Sequence, residues 1–315
     1  MKAIAILTTL GLLAAPALAD PKTAPPNDVT EKSRLEVQPA GKGFKELTID
    51  NPLGDVRVEG YDGTAIQIET HKHAPDADTL DRLRIALVPD TDGTVRIATS
   101  VDAGKEFRPI ARGLVRIDIV IRAPRTARVD AATSAGKLEI ENLDAGGELD
   151  SASGSITVKN VSGGLLTHSV SGATSLTSVF GSVDAATISS NVDLDSINGD
   201  KLVASANKGN IAGRRVRSRE IELTTTEGKI VLEGEMALRG RLVVSSLHGD
   251  IDVRLRRHGA VNVRARGGKV DLGQPSNLIE RTAGWTVATL GRSSDPSASV
   301  ELQSKYGIVS LAVIQ

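Results

Sequence analysis

Beyond Gly136 the chain alternates apolar and polar residues in short bursts that restart at Gly136, Gly154, Gly172, Ser190, Gly209, Gly228, Gly249 and Gly268. Two residues after each restart stand Leu138, Ile156, Thr174, Val192, Ile211, Ile230, Ile251 and Val270. Four residues after stand Ile140, Val158, Leu176, Leu194, Gly213, Leu232, Val253 and Leu272. A period of two places these side chains on one face of a strand, and recurrence at a fixed spacing lays one such unit over the next. The pattern predicts an all-β chain wound as a single parallel β-helix, a solenoid with coils of about 18–20 residues and its regular coils over 136–272.

Two further columns support a wound ribbon. Seven residues after the restart come Leu143, Val161, Val179, Ile197 and Val216, which are expected to point inward. One residue earlier come Asn142, Asn160, Ser178 and Ser196, small polar residues suited to a bend, and Gly163, Gly181 and Gly199 mark a second bend. Thr174 and Gly213 interrupt the aliphatic rows, and the longer unit from Gly228 predicts a loop or bulge there. Upstream, Leu47–Ile49, Val56–Val58, Ile66–Ile68, Leu83–Leu87, Val95–Ile97 and Leu114–Ile121 alternate as short strands, with a hairpin turn at Asp90–Gly93 and one helical turn within 75–82. The reading is of one β-solenoid domain over 44–315, its N-terminal β-hairpins continuous with the coils and its open end covered by Trp285–Gln315.

The start of the chain has a different character. Lys2, an apolar run from Ala3 to Leu13 and the small-residue signal Ala17-Leu18-Ala19 describe a signal peptide over 1–19. The apolar run falls short of the roughly 20 residues that a membrane span needs, and no later segment reaches that length, so the mature chain is read without a transmembrane segment. Residues 20–43, polar and proline-bearing, read as a disordered lead-in. Export without a single cysteine excludes a disulfide framework, and a net charge of −1 gives no global attraction to nucleic acid. The expected location is the periplasm or the cell surface. Aromatic side chains are scarce because a narrow core of short rungs has room for aliphatic chains but not for rings.

Asn51-Pro52-Leu53-Gly54-Asp55-Val56-Arg57-Val58, the strand end Val120-Ile121-Arg122-Ala123-Pro124 and the glycine-led repeats from Gly136 to Leu272 together resemble a bacterial family of exported β-solenoid domains known as adhesin-like, a domain of unknown function. The resemblance covers most of the mature chain. It implies a parallel β-helix with no shared catalytic residues. No series of lipid-facing strands precedes Ile308–Gln315, so the sequence is read without the C-terminal translocator barrel of self-translocating adhesins.

The candidate chemistry is sparse. His71 and His73 lie on one side of an extended segment near Asp76 and Asp78, but two imidazoles without a third fixed ligand do not make a metal site. Asp193, Asp195, Asn198 and Asp200 are oxygen-rich without the spacing of a calcium loop, and they read as corner residues. No Gly-x-Ser-x-Gly elbow is present, and His168, His248 and His258 have no recognisable catalytic partners. Asp250, Asp252, Asp271 and Arg254 are the set a polysaccharide-cleaving solenoid would use, at offsets that also suit a solvated face.

Charge is the more informative signal. From Asp130 to Gly213 there are ten acids and four bases, whereas Arg214 to Leu272 holds eight acids and thirteen bases. Arg214, Arg215, Arg217 and Arg219 share one coil, and Arg254, Arg256, Arg257, Arg264 and Arg266 follow two coils later. Arg214, Arg217, Arg254, Arg256, Arg257, Arg264 and Arg266 are therefore the candidate stripe for an anionic ligand. The expected function is that of a non-enzymatic, cofactor-free envelope protein whose partner is an envelope polymer or protein. The alternatives are a polysaccharide-active enzyme, which needs a carboxylate-lined cleft, and a stress-sensing module that binds a membrane protein.

Overall fold

The computed structural model describes residues 6–9, 29–39, 43–102, 114–273, 279–282, 284–291 and 297–314. Most of the expected leader, and half of the lead-in, lie outside the described residues. The chain forms two compact units that divide after Gly154.

The first unit comprises β1 (Ile6–Thr9), β2 (Val29–Val37), β3 (Glu46–Asp50), β4 (Val56–Tyr61), β5 (Ile66–Ala74), α1 (Ala77–Leu80), β6 (Leu83–Pro89), β7 (Thr94–Val101), β8 (Arg116–Pro124), β9 (Arg128–Thr133), β10 (Leu138–Leu143) and β11 (Gly147–Ser151). β3 runs parallel to both β7 and β9, and β4 runs parallel to both β8 and β10. The first coil in sequence is thus the inner one, lying between two coils that follow it. β6 closes β7 as an antiparallel hairpin, and β5 lies antiparallel to β8. Asn51 secures the entry into β4: it is fully buried, donates to the Ile117 carbonyl at 2.8 Å and accepts from Thr99 Oγ1 at 2.6 Å. The single helical turn is capped by Asp76, whose carboxylate accepts the Thr79 N–H at 2.7 Å.

The reading of 20–43 as disordered fails over its second half. β2 pairs antiparallel with β5 residue for residue from Val29↔Ala74 to Val37↔Ile66. Its apolar content is too low to show a period, and pairing is instead supported across the strands by Arg34–Glu69 at 2.8 Å and Lys72–Glu31 at 3.2 Å. On its other side β2 pairs antiparallel with β1, from Ile6↔Val37 to Thr9↔Arg34.

The second unit comprises β12 (Ile156–Ser162), β13 (Leu165–Ser169), β14 (Thr174–Phe180), β15 (Val183–Thr187), β16 (Val192–Lys208), β17 (Ile211–Glu227), β18 (Ile230–Glu235), β19 (Arg241–Ser246), β20 (Ile251–Arg256), β21 (Ala260–Arg266), β22 (Lys269–Asp271), β23 (Ile279–Thr282), β24 (Trp285–Leu290), β25 (Ser297–Ser304) and β26 (Ile308–Ile314). The predicted row is present as a parallel ladder, Ile156↔Thr174↔Val192↔Ile211↔Ile230↔Ile251. All six side chains are buried, and each aliphatic one contributes roughly 1.5–3 kcal/mol of burial. The described aromatic residues are half-buried or exposed, as a thin aliphatic core requires.

The restart glycines sit where the backbone of one coil rests on the next. A Cβ on Gly154 would meet the Gly136 carbonyl oxygen at 1.7 Å, and one on Gly209 would meet that of Ser190 at 1.8 Å. Three residues before the restart lies a buried hydroxyl that the sequence pattern did not single out. Ser169, Ser246 and Ser304 accept the N–H of Gly172, Gly249 and Gly307 at 2.9, 2.8 and 2.9 Å. The hydroxyl satisfies a backbone donor that the bend removes from the ladder.

The order of coils at the far end differs from the sequence reading. Val270 does not stack on Ile251: Val309 lies between them, paired with both. β25 likewise lies parallel between β19 and β21. Residues 297–314 are therefore an inserted coil and not the cover expected of Trp285–Gln315. The cover is β24, antiparallel to β21, with β23 antiparallel to β24. Ser304-Lys305-Tyr306-Gly307 repeats the chemistry of Ser246-Leu247-His248-Gly249, so the slot accepts it in register although it comes late in the chain.

Candidate functional site

The polar corner column proves to be a column of left-handed residues. Asn160, Ser178 and Ser196 have φ of 52°, 56° and 58° in the second unit, and Asn142 has 62° in the first. The next residue in the series is Arg215, with φ of 51°. Asn and Ser tolerate this conformation because short polar side chains bond locally; arginine has no such compensation.

The column stops at Arg215. Between β17 and β18 the register moves from Gly213↔Leu232 to Val216↔Gly234, so Arg214 and Arg215 together face Glu233 alone. The missing residue is recovered later, because Glu220 pairs with Arg241 across the turn that follows Met236. The predicted irregularity from Gly228 is thus a bulge followed by a longer turn. A Cβ on Gly213 would press on Leu232 Cδ1 at 2.8 Å.

Where bent strands meet straight ones, a groove of about 440 Å³ opens on the outer face. Its lining includes Phe180, Asn198, Arg215, Arg217, Arg254 and Arg256, with Glu233 and Glu235 among them. Ladder pairing fixes the order Phe180↔Asn198↔Arg217 on one side and Glu235↔Arg256↔Ile314 on the other. Phe180 and Ile314 are 50% and 52% exposed. Arg215 is ion-paired to Asp195 and donates to Ser196 Oγ at 2.9 Å. Glu235 is hydrogen-bonded to His258 and lies 3.8 Å from Arg217. The His258 hydrogen bond foremost, then the nearby guanidinium groups, hold the Glu235 carboxyl below the usual carboxylate range.

The structure divides the candidate stripe. Arg217, Arg254 and Arg256 line the groove. Arg214 is exposed beside it, opposite Asp195. Arg257 turns back to donate to the Gly259 carbonyl at 3.0 Å. Arg264 and Arg266 lie on β21, where Arg264 sits 4.8 Å from the Trp285 ring centroid and 3.6 Å from Glu301. Phe180, Asn198, Glu233 and Glu235 were not singled out from the sequence as ligand contacts. A signal for the first existed, since Phe180 is the one aromatic residue between 136 and 272.

The other candidates have local roles. Asp250 accepts the Ile308 N–H at 2.8 Å and Asp271 that of Gly273 at 3.0 Å. Asp252 lies 3.9 Å from both Lys229 and Arg254. His71 bonds Glu69 at 2.8 Å. Asp90 and Asp92 close the β6–β7 turn, Asp92 accepting the Thr94 N–H at 2.9 Å.

Left-handed backbone at a side chain without local compensation costs about 1 kcal/mol or more. Arg215→Asn is therefore expected to raise the stability of the chain by roughly 1 kcal/mol, read as a higher urea midpoint, because the lost pair with Asp195 is exposed and contributes little.

Comparison with known proteins gives one family. Residues 44–314 match Toastrack DUF4097. Among solved structures, a candidate adhesin from Parabacteroides merdae is similar at 13% identity, covering 91% of this chain and 96% of that one, with a TM-score of 0.50. A candidate adhesin from Bacteroides fragilis is 13% identical over 90% of this chain and 97% of that one, with a TM-score of 0.39. A candidate lipid binding protein from Parabacteroides distasonis is 11% identical over 92% and 98%, with a TM-score of 0.40. No curated protein matches. The likeness to the first of these is one of fold.

Proposed function

Since the chain belongs to the Toastrack DUF4097 family, we propose that it is a non-enzymatic, exported, adhesin-like binding protein of the cell envelope, and that the groove of its second unit contacts an anionic envelope polymer. The observation that carries this reading is the convergence of Arg217 from β17 and Arg254 and Arg256 from β20, on either side of β18, around one concavity. Guanidinium groups present paired donors to carboxylate, sulfate or phosphate, and the ladder fixes the backbone positions from which they reach. Phe180 adds an exposed apolar surface at one end, on which the ring of a sugar can lie. Glu233 and Glu235 keep the site from being uniformly basic, which favours a ligand whose charges are spaced over one that is densely anionic.

Support also comes from the adhesin description of the Parabacteroides merdae neighbour. The test is binding to purified anionic envelope polysaccharides at two salt concentrations. Arg217→Ala and Arg256→Ala are each expected to weaken binding about tenfold with folding unchanged, since a charge-assisted hydrogen bond contributes roughly 1.5–3 kcal/mol. Binding that is unchanged in the double variant removes the groove from the reading. Turnover on a polysaccharide panel, abolished by replacing Glu233 or Glu235, establishes the enzymatic alternative instead.

A further inference from the structure

The inserted coil, β25 with β26, is hydrogen-bonded along both of its edges. β25 pairs with β19 from Arg241↔Ser299 to Ser246↔Ser304 and with β21 from Ala260↔Ser297 to Arg266↔Gln303. β26 pairs with β20 from Ile251↔Val309 to Arg256↔Ile314 and with β22 over Lys269–Asp271. Its inward residues Ala298, Val300, Leu302, Val309, Leu311 and Val313 are all buried. The chain passes from β20 to β21 outside this coil: the crossing residue Arg257 donates its N–H to the Ile314 carbonyl at 3.1 Å. The two flanks therefore belong to one continuous stretch of chain, and the coil between them comes from elsewhere in it.

We propose that this coil is exchangeable, so that residues 297–314 of one copy occupy the gap between β19–β20 and β21–β22 of a second copy, giving strand-swapped homo-oligomers. Two observations favour a second copy of this chain as the partner. The gap is one coil wide and has open parallel edges on both sides once the coil leaves, and such edges template pairing. Its requirements are met by a Ser-x-x-Gly corner followed by alternating aliphatic residues: Ser304 Oγ donates to the Gly249 carbonyl at 2.8 Å, Gly307 packs against Gly249, and Val309, Leu311 and Val313 cover Ile251, Val253 and Leu255. Only a chain with this sequence supplies that phrase with the flanking β25 register as well. Exchange of an identical element between protomers adds no new kind of contact, which makes it a low-cost route to association.

The absence of cysteine makes the exchange directly readable. Arg241 and Ser299 are exposed and directly opposite on neighbouring strands, a separation of about 4.8 Å that a disulfide spans. One full-length copy carries Arg241→Cys and another Ser299→Cys. In the unswapped fold each thiol faces a native residue; only donation of the coil brings the two together. The reduced proteins are mixed, held just below their thermal midpoint, cooled and oxidised. Mixed disulfide dimers, which join the two variants through their introduced thiols, are expected to exceed same-type dimers roughly tenfold, because the swapped coil holds the thiols at high effective concentration. Mixed dimers no more abundant than random pairing gives overturn the proposal. A double variant, Arg241→Cys with Ser299→Cys, oxidised before mixing fastens each coil in its own slot and is expected to stay monomeric; association of this locked form also overturns the proposal, because another surface is then responsible.

Discussion

Replacing Gly249 by alanine is expected to cost the second unit about 3 kcal/mol. The added Cβ would stand 1.6 Å from the Gly228 carbonyl oxygen and 2.5 Å from its carbon. Both partners are backbone, so no side-chain rotamer relieves the contact. The strand must move away and break the ladder that joins β18 to β20. Displacement then passes to the neighbouring coil, because Gly307 already packs against the Gly249 carbonyl at a Cβ distance of 2.3 Å. Gly164→Ala is the matched control: nothing lies within 4 Å of its added carbon, and the expected change is within about 0.5 kcal/mol. Urea unfolding of the two variants separates the cases. Equal midpoints would mean that close stacking of corners is not what confines these positions to glycine.

Leu302→Ala is expected to cost roughly 2–5 kcal/mol. The side chain is fully buried in the inserted coil, with Val244 and Ala265 as its register partners on either side. Ala265 is too small to fill the space released, so a cavity persists and the loss lies toward the upper part of that range. Leu302→Met keeps the volume and is expected to cost less than about 1.5 kcal/mol. Thermal and urea unfolding report both. A loss under about 1 kcal/mol for the alanine variant would show that the inserted coil is loosely held in its slot.

The parts of the fold that the sequence reveals are those in which each residue repeats a demand already made one coil earlier. Ile156, Val192 and Ile230 sit over one another because each meets the same neighbours, and the left-handed corner at Asn160, Ser178 and Ser196 is legible for the same reason. Order along the chain is less legible. Val309 and Val270 satisfy the same position equally well, and periodicity alone does not say which of them lies next to Ile251. β2 is hidden for another reason: its pairing with β5 is supported by cross-strand ion pairs rather than by an apolar period. At the candidate site, the basic residues are legible but their grouping is not. A one-residue bulge after Gly213 decides that Arg217 and Arg256 share a groove while Arg264 turns to Trp285 on β21.

The insertion of β25 and β26 has a consequence for the order in which the molecule can be assembled. Within the second unit, a chain that emerges from its N-terminus can wind coil on coil only from β12 as far as β20 before the sequence of events must pause. β21 and β22 appear next, yet their native neighbours are the last strands to be made. Until those arrive, two ladders remain half-finished, and the nascent protein is at its most vulnerable to pairing with a stranger. Completion of the second unit is therefore governed by the arrival of its final coil, and a helper that shields open strand edges would act on this interval.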